Sequence, residues 1–188
     1  MTYWFAVGQL SCAVVSDGQM EPPLAPPLKA FFTPGTGVAT GFAHAAEVAF
    51  WSAPGRSPQD DEHRPTALEA IRLFGDRLRP FECGDEVLSQ IRAVDAAGHT
   101  PGQTAFVLES RCKRLLCAGD TFYDSLQLSH PGWRTPWDHD AERSVLSRRR
   151  LLGWAADENL LIHAYHMPFP GLGRVQRHGS AFRWIPVT

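Results

Sequence analysis

Three side chains in the second half of the chain could together bind a metal ion. His99 lies in the sequence Gly-His-Thr-Pro-Gly (98–102), Asp120 follows the apolar run 115–118, and His166 precedes the sequence Met-Pro-Phe-Pro-Gly (167–171). In each case glycine or proline bends or stiffens the backbone beside the side chain. Two imidazoles and one carboxylate form a ligand set that suits zinc, iron or manganese. The pattern therefore predicts a metal site.

Each residue also has a simpler interpretation. His99 could be a turn histidine without a functional role, and Asp120 could cap the turn that follows it. An aspartate directly after an apolar strand otherwise needs a metal, an arginine or backbone N–H groups as its partner. His163 and His166 are three residues apart, so a continuous strand would point them to opposite faces. We interpret His166 as the site residue and His163 as a core residue.

Taken in this order, the three motifs resemble the later ligand motifs of the metallo-β-lactamase superfamily. Further segments resemble one hydrolase subgroup of that superfamily, namely 46–51, 129–133, 138–140, 148–152, 166–173 and 182–186. The resemblance implies a mixed α/β (α+β) fold, an αβ/βα sandwich that holds two metals, usually zinc, at the edge of its sheets. It also implies a hydrolase that acts on a small molecule.

The resemblance assigns a role to each ligand. His99 would bind the first metal, His166 the second, and Asp120 would bridge both, which makes Asp120 the catalytic candidate. Metal ions lower the pKa of bound water to about 7, so the resulting hydroxide can attack a carbonyl carbon or a phosphorus centre. An ester, a lactone, a thioester or a similar bond would be the substrate.

The ligand motif that the superfamily places first, His-x-His-x-Asp-His, occurs nowhere in these 188 residues. We therefore predict a single domain over 1–188, truncated in its N-terminal half by an internal deletion around 33–41. Each metal position keeps one histidine and the shared aspartate, whereas catalytic zinc usually has three protein ligands. Either His99, Asp120 and His166 collapse around one zinc, iron or manganese ion, or no metal is bound. His44, His130 and His139 are possible substitute ligands, and His130 is better explained by packing beside Trp133.

The hydrophobic pattern predicts the elements that position these residues. Alternating apolar residues indicate strands, and apolar residues three and four apart indicate helices. The predicted strands are 7–16, 87–96, 104–109, 114–118 and 159–165, with a terminal hairpin from 175–176 and 182–185. The predicted helices are 43–51, 66–79 with Pro65 in its first turn, and a helix capped by Asp138 or Asp140 that runs to about 157.

Aromatic residues are candidates for a pocket and for an interface. Phe122, Trp133, Trp137 and Phe169 could line an apolar substrate pocket, although such residues also form cores. A second group surrounds the deletion, and loss of inner strands would leave apolar surface to cover. This group predicts a homo-oligomer through the region 31–51 and consists of Phe31, Phe32, Phe42, Phe50 and Trp51.

Composition excludes several function classes. The chain has 44% hydrophobic and 20% charged residues and a formal charge of −2, which gives no footprint for nucleic acid or an anionic membrane. The only basic run, 148–150, lies in a predicted helix and is interpreted as a solvated face. Scattered cysteines without a Cys-x-x-Cys pair favour reduced thiols and a cytoplasmic protein.

Two functions remain in competition, together with the possibility that the chain is the product of a deletion or of mis-splicing. The first is a weakly active metal-dependent hydrolase that uses His99, Asp120 and His166. The second is a non-catalytic pseudoenzyme or interaction module derived from the same fold, which the missing motif favours. Stoichiometric bound metal would distinguish the first from the second.

Overall fold

The computed structural model describes residues 2–15, 40–54 and 58–187. The chain divides into two compact units. The larger unit comprises Met1–Gly18 and Cys83–Thr188, and the smaller unit comprises Gln19–Glu82. The prediction of one domain over 1–188 stays a prediction, and most of the proposed deletion at 33–41 lies outside the described residues. The elements are, in chain order, β1 (Thr2–Val7), β2 (Leu10–Val15), β3 (Gly41–His44), α1 (Ala45–Ser52), α2 (Pro58–Phe74), β4 (Leu78–Phe81), β5 (Glu86–Leu88), β6 (Ile91–Asp95), β7 (Thr104–Ser110), β8 (Lys113–Cys117), α3 (Ser125–Ser129), α4 (Ala141–Asp157), β9 (Leu161–His163), β10 (Leu172–His178) and β11 (Ala181–Pro186).

A seven-stranded sheet forms the centre of the larger unit. Its strand order is β11-β10-β9-β8-β7-β6-β5. All neighbouring strands are antiparallel except β8 and β9, which run parallel with Cys117 opposite His163. The parallel pair follows from the long connection through α3 and α4, because parallel strands need a crossover. The carboxyl ends of β8 and β9 therefore lie side by side at one edge of the sheet.

The sheet buries both of its faces. Successive side chains of a strand point to opposite faces, and Leu116 belongs to the core shared with Leu152 of α4, whereas Leu115 belongs to a second cluster with Val7 of β1. Leu115 and Leu116 are both almost fully buried. Helices α3 and α4 thus cover one face of the sheet, and the β1–β2 hairpin packs against the other.

The first predicted strand, 7–16, is wrong in its boundaries. Gly8 has a φ of +59° and forms a turn with Gln9, so 2–7 and 10–15 become two antiparallel strands. A side chain at Gly8 would overlap the backbone of Ser110, and the Gln9 N–H donates to Ser110 Oγ at 3.1 Å. This tertiary contact fixes the turn. The part of the predicted strand at residue 16 lies outside the described residues.

The predicted strand 87–96 is a hairpin of β5 and β6. Gln90 adopts a positive φ of 69°, and its N–H donates to Glu86 Oε1 at 2.8 Å. The alternating pattern continues through this turn, which is why periodicity alone joined the two strands. The predicted strand 159–165 is also shorter, because β9 ends at His163 and the chain then turns.

The smaller unit contains a parallel pair, β3 and β4, connected through α1 and α2. The predicted helix 43–51 is confirmed as α1, with a shift of one to two residues. The predicted helix 66–79 is wrong at both ends, because α2 begins at Pro58, contains Pro65 in its interior and ends at Phe74. Gly75 has a positive φ that ends the helix. Leu78–Phe81 then pairs with β3.

The remaining predicted elements are confirmed, including β7, β8 and the terminal hairpin β10–β11. Helix α4 is capped by Asp140, whose side chain accepts from the Arg143 N–H at 2.9 Å. The interpretation of 148–150 as a solvated face is wrong for Arg148, which is fully buried. Arg148 shares the inward stripe of α4 with Ser144 and Leu151, at helical spacings of four and three. In the described part of the chain, no helix is both long and apolar enough to cross a membrane.

Candidate functional site

Asp120 and His166 meet at the edge of the sheet where β8 and β9 end. Each lies three residues beyond its strand, and the two strands end in register at Cys117 and His163. The Asp120 Oδ1 and His166 Nε2 atoms are 3.1 Å apart. The imidazole of His166 is 38% exposed and the carboxylate of Asp120 is 22% exposed. The parallel register of β8 and β9 thus brings together two solvent-accessible side chains that are 46 residues apart in the sequence.

Local turns present these two side chains. Gly119 has a φ of +58°, and a side chain there would overlap the Gln103 amide, so the turn packs closely against the neighbouring loop. Thr121 Oγ1 donates to the Ala118 carbonyl at 2.5 Å and closes the turn around Asp120. After His166, the loop returns through Gly171, whose carbonyl accepts from the Ala164 N–H at 2.8 Å.

His99 reaches the same edge of the sheet from the loop between β6 and β7. Gly98 has a φ of +140°, and a side chain there would overlap the backbone of Ser144 at the start of α4. The carbonyls of Gly98 and His99 accept from the N–H groups of Asp140 at 2.8 Å and His139 at 3.0 Å. The turn that carries His99 is therefore held against the beginning of α4.

Tyr123 lies between the two histidines. Its hydroxyl is 2.6 Å from His99 Nδ1, and its ring centroid is 5.7 Å from that of His99 and 4.8 Å from that of His166. Burial, together with the carboxylates of Asp120 and Asp138, raises the pKa of Tyr123 far above its ordinary value, against a smaller opposing effect of Arg148. The hydroxyl therefore stays protonated in the neutral pH range and can donate a hydrogen bond.

Asp138 is a buried carboxylate behind His99. Its side chain is 0% exposed, and its Oδ1 lies 3.4 Å from His99 Nδ1. Neither oxygen accepts a hydrogen bond from the described residues. The guanidinium of Arg148, also 0% exposed, lies 3.8 Å from Oδ2. An isolated buried charge is strongly unfavourable, so Asp138 depends on Arg148 and His99 as its partners.

Arg148 organises the loop that precedes α4. Its Nε donates to the Thr121 carbonyl at 2.9 Å, and its Nη1 donates to the carbonyls of Trp133 at 2.6 Å and Pro131 at 3.3 Å. Burial lowers the pKa of Arg148, and the nearby Asp138 and Tyr123 oppose this effect. A guanidinium nevertheless stays charged at any ordinary pH. Arg148 thus fixes both sides of the loop that contains Tyr123 and Asp138.

The predicted ligands divide between two pairs. His166 and Asp120 approach each other, whereas His99 turns its Nδ1 to Tyr123 and Asp138. Within the described ranges, no group of three or more His, Cys, Asp and Glu side chains is arranged to hold a metal ion. Zinc sites usually have at least three protein ligands, so the described arrangement does not fit zinc.

The predicted pocket residues have different environments. Phe122 is 1% exposed and lies in the main core, with its ring centroid 6.4 Å from that of Trp184, so it does not line an open pocket. Trp133 and Trp137 are 53% and 62% exposed, and Phe169 is also exposed. His130 stacks on Trp133 with ring centroids 4.2 Å apart, which confirms its packing role.

Three residues of this site are absent from the sequence-based prediction of site residues: Tyr123, Arg148 and, as a partner of His99, Asp138. Tyr123 follows Asp120 closely in the sequence, but a single tyrosine carries no motif. The sequence analysis includes Asp138 as a possible helix cap and within a segment that resembles the hydrolase subgroup, without a role at the site. Arg148 lies four residues after Ser144 and three before Leu151 on the inward face of α4. This helical spacing was the sequence signal that could have indicated its burial.

No protein-family model matches the chain, and no curated protein is similar to it in sequence. Solved structures are similar in fold. The hydrolase AbOPH of the β-lactamase superfamily has 24% sequence identity and a TM-score of 0.73 over 80% of this chain. AidC, a dizinc quorum-quenching lactonase solved with a product, has 23% identity and a TM-score of 0.72 over 78% of this chain. The chain spans 55% and 54% of the lengths of these two proteins. Its mixed α/β structure, predicted from the sequence, is that of the metallo-β-lactamase fold.

Proposed function

We propose that the chain is a hydrolase of the metallo-β-lactamase fold with a reduced site that cleaves an ester, lactone or thioester bond slowly. The observation that carries this proposal is the 3.1 Å contact between Asp120 and His166, beside the protonated hydroxyl of Tyr123. A histidine oriented by a carboxylate is a general base, and a phenol can stabilise a developing oxyanion. These are the parts that hydrolysis by an activated water requires.

The proposed chemistry uses these side chains alone. With the proton on His166 Nε2, this nitrogen donates to Asp120 and leaves the Nδ1 lone pair to accept a proton from water. The water oxygen bonds to the substrate carbonyl carbon, and the Tyr123 hydroxyl donates to the oxygen that becomes negative. The carbon–leaving group bond then breaks, and the leaving group takes the proton from His166. General acid–base catalysis contributes about 10²- to 10⁴-fold, so we expect weak activity.

Substrate hydrolysis tests this proposal directly. Simple esters, thioesters and lactones are the substrates, with lactones included because AidC shares the fold. We expect slow turnover above buffer that falls at least about tenfold in Asp120→Asn and His166→Ala. His178→Ala, at the exposed end of β10, serves as the control and should retain full activity. Absence of turnover, or equal rates in all four proteins, contradicts the proposal.

The predicted metal, namely one zinc, iron or manganese ion held by His99, Asp120 and His166, stays a prediction. Elemental mass spectrometry of the dialysed protein measures it. About one ion per chain, the number expected for a single site, that is lost in both His99→Ala and His166→Ala would replace the metal-free chemistry above. An ion content far below one per chain would leave the side chains as the catalytic groups.

A non-catalytic interaction module is the second candidate. It is favoured by the division of the predicted ligands into two pairs within the described residues. The predicted homo-oligomer through 31–51 belongs to this candidate. Residues 31–39 lie outside the described part, whereas Phe42, Phe50 and Trp51 are half-buried. Sedimentation of the wild type and of Phe50→Ala measures the oligomer, and a monomeric wild type contradicts it.

A further inference from the structure

Asp138 is placed to act on His99 and not on a ligand directly. Its carboxylate has no exposed surface, and no described group donates a hydrogen bond to it. Its carboxylate lies 3.4 Å from His99 Nδ1 and 3.8 Å from the Arg148 guanidinium. The negative charge of Asp138 therefore acts in a region without contact with bulk solvent, where electrostatic effects are stronger than at the surface.

The tautomer of His99 decides the direction of the hydrogen bond with Tyr123. A neutral imidazole carries one proton, on Nδ1 or on Nε2. His99 Nδ1 faces both the Tyr123 hydroxyl at 2.6 Å and the Asp138 carboxylate at 3.4 Å. With the proton on Nε2, Nδ1 is an acceptor and Tyr123 must donate to it. With the proton on Nδ1, Tyr123 accepts, and its own proton is available to another group.

A carboxylate can only accept hydrogen bonds, so Asp138 is repelled by a bare Nδ1 lone pair and attracted by an Nδ1–H. In the Nδ1–H tautomer, His99 donates to the closer phenol oxygen at 2.6 Å, and the carboxylate behind it attracts the partial positive charge of that N–H group. In the opposite tautomer, Asp138 would face the Nδ1 lone pair and lose the attraction of the N–H group, while Arg148 remains its cationic partner.

We infer that Asp138 is a positioning residue that holds His99 in its Nδ1–H tautomer. Tyr123 then accepts from His99 and keeps its hydroxyl proton for the oxygen of a bound carbonyl compound, and His99 Nε2 keeps a lone pair. The use of the Tyr123 proton rests on the proposed function. The tautomer itself is a property of the folded chain and can be measured without a substrate.

Long-range nitrogen–proton correlation spectra of protein labelled with ¹⁵N-histidine identify the protonated ring nitrogen. The protein is first treated with a chelator, and the His99 signals are assigned by their loss in His99→Gln. We expect Nδ1–H in the wild type. In Asp138→Asn the side-chain amide can donate to Nδ1, so we expect the proton to move to Nε2. Asp157→Asn, which changes an exposed aspartate at the end of α4, is the matched control and should keep Nδ1–H.

A second variant separates the effect of Asp138 from that of Tyr123. In Tyr123→Phe we expect His99 to keep Nδ1–H, because Asp138 is unchanged. A switch to Nε2–H in Tyr123→Phe would overturn the inference, as would Nε2–H in the wild type. An unchanged tautomer in folded Asp138→Asn would also overturn it. If Asp138→Asn does not fold, the wild type and Tyr123→Phe still decide.

The hydrolysis assay and the tautomer measurement test two hypotheses that can be contradicted independently. Nδ1–H in the wild type with no turnover of any substrate would leave the role of Asp138 intact and remove the proposed function. Turnover that depends on Asp120 and His166, with Nε2–H on His99, would retain the hydrolase and remove the role of Asp138.

Discussion

Two histidine–carboxylate pairs flank Tyr123, and they differ in their contact with solvent. His166 and Asp120 are 3.1 Å apart and both reach solvent, whereas His99 and Asp138 are 3.4 Å apart and Asp138 is 0% exposed. The exposed pair is shorter and accessible to solvent. The buried pair is longer, but its carboxylate has no contact with bulk solvent and depends on Arg148. Similar residue types therefore lie in a solvent-accessible pair on one side of Tyr123 and in a pair with a buried carboxylate on the other.

The energetic consequences differ in the same way. An exposed ion pair contributes about 0–1 kcal/mol, because water competes with the partner and screens the charges. Loss of one partner of a buried pair costs about 3–5 kcal/mol, because the other charge stays buried without compensation. Changes to the buried side should therefore alter stability, whereas changes to the exposed side should alter activity with little effect on stability.

Replacement of Arg148 should have the largest effect. Arg148→Ala removes the cation beside Asp138 and the donor to the carbonyls of Thr121 and Trp133, so we expect a loss of about 3–5 kcal/mol. Urea unfolding of the wild type and the variant measures this loss. Arg149→Ala, at the exposed neighbouring position, is the control and should change stability by about 0.5 kcal/mol or less. Equal stability of the two variants would contradict the buried role of Arg148.

Gly98→Ala should have the next largest effect, because it separates the His99 turn from α4. The positive φ and the overlap with the Ser144 backbone each cost about 1–3 kcal/mol, so we expect a total of about 3 kcal/mol. Gly179 also has a positive φ, but open space surrounds the position that a side chain would take there. Gly179→Ala should therefore cost only about 1 kcal/mol. Equal losses in urea unfolding would show that the close approach at Gly98 is unimportant.

Asp120→Ala should have a smaller effect on stability than either change on the buried side. We expect a loss below about 1 kcal/mol, because both partners of the pair reach solvent. The same variant should lose hydrolytic activity if the proposed function is right. A loss of stability comparable to that of Arg148→Ala would remove the contrast between the two pairs.

The pKa of Tyr123 should have the smallest effect on stability, and this effect should change with pH only in the alkaline range. Its pKa is raised in the folded chain, so its contribution to stability is complete below the ordinary tyrosine pKa of about 10. Above that pH the unfolded chain loses the proton first, and the stability contribution decreases until the folded pKa is passed. Tyrosinate absorbance measures this behaviour. Tyr123→Phe should leave the native absorbance step near pH 10 unchanged, and a smaller step in the variant would contradict the raised pKa.

The exposed pair was predictable from the sequence, because both residues follow apolar strands and lie beside turns that contain glycine or proline. Strand β8 and helix α4 were also predictable, since their apolar residues follow the patterns of a buried strand and of an amphipathic helix. The hairpins at Gly8 and Gln90 were not, because an alternating pattern does not record a turn that a tertiary contact or a local hydrogen bond stabilises.

The burial of Arg148 beside Asp138 could not be predicted from the sequence pattern. Arg148 lies in a run of three arginines, and composition favours exposure of such a run. Its burial depends on the loop around Tyr123 and Asp138, which provides three backbone carbonyls that accept its hydrogen bonds and the negative charge of one carboxylate. These acceptors are up to 27 residues away in the chain, so no local pattern can include them.

The sequence by itself determined the strands β7 and β8, the helix α4 and the identity of Asp120, His99 and His166 as groups able to do chemistry. Local propensity and side-chain chemistry are properties of short segments, so a single chain contains them. Tertiary structure alone decided that Asp120 meets His166, that His99 turns to Tyr123 and Asp138, and that Arg148 is buried. These contacts depend on the parallel register of β8 and β9 and on the packing of α4 against the loops, which bring together residues that are far apart in the sequence.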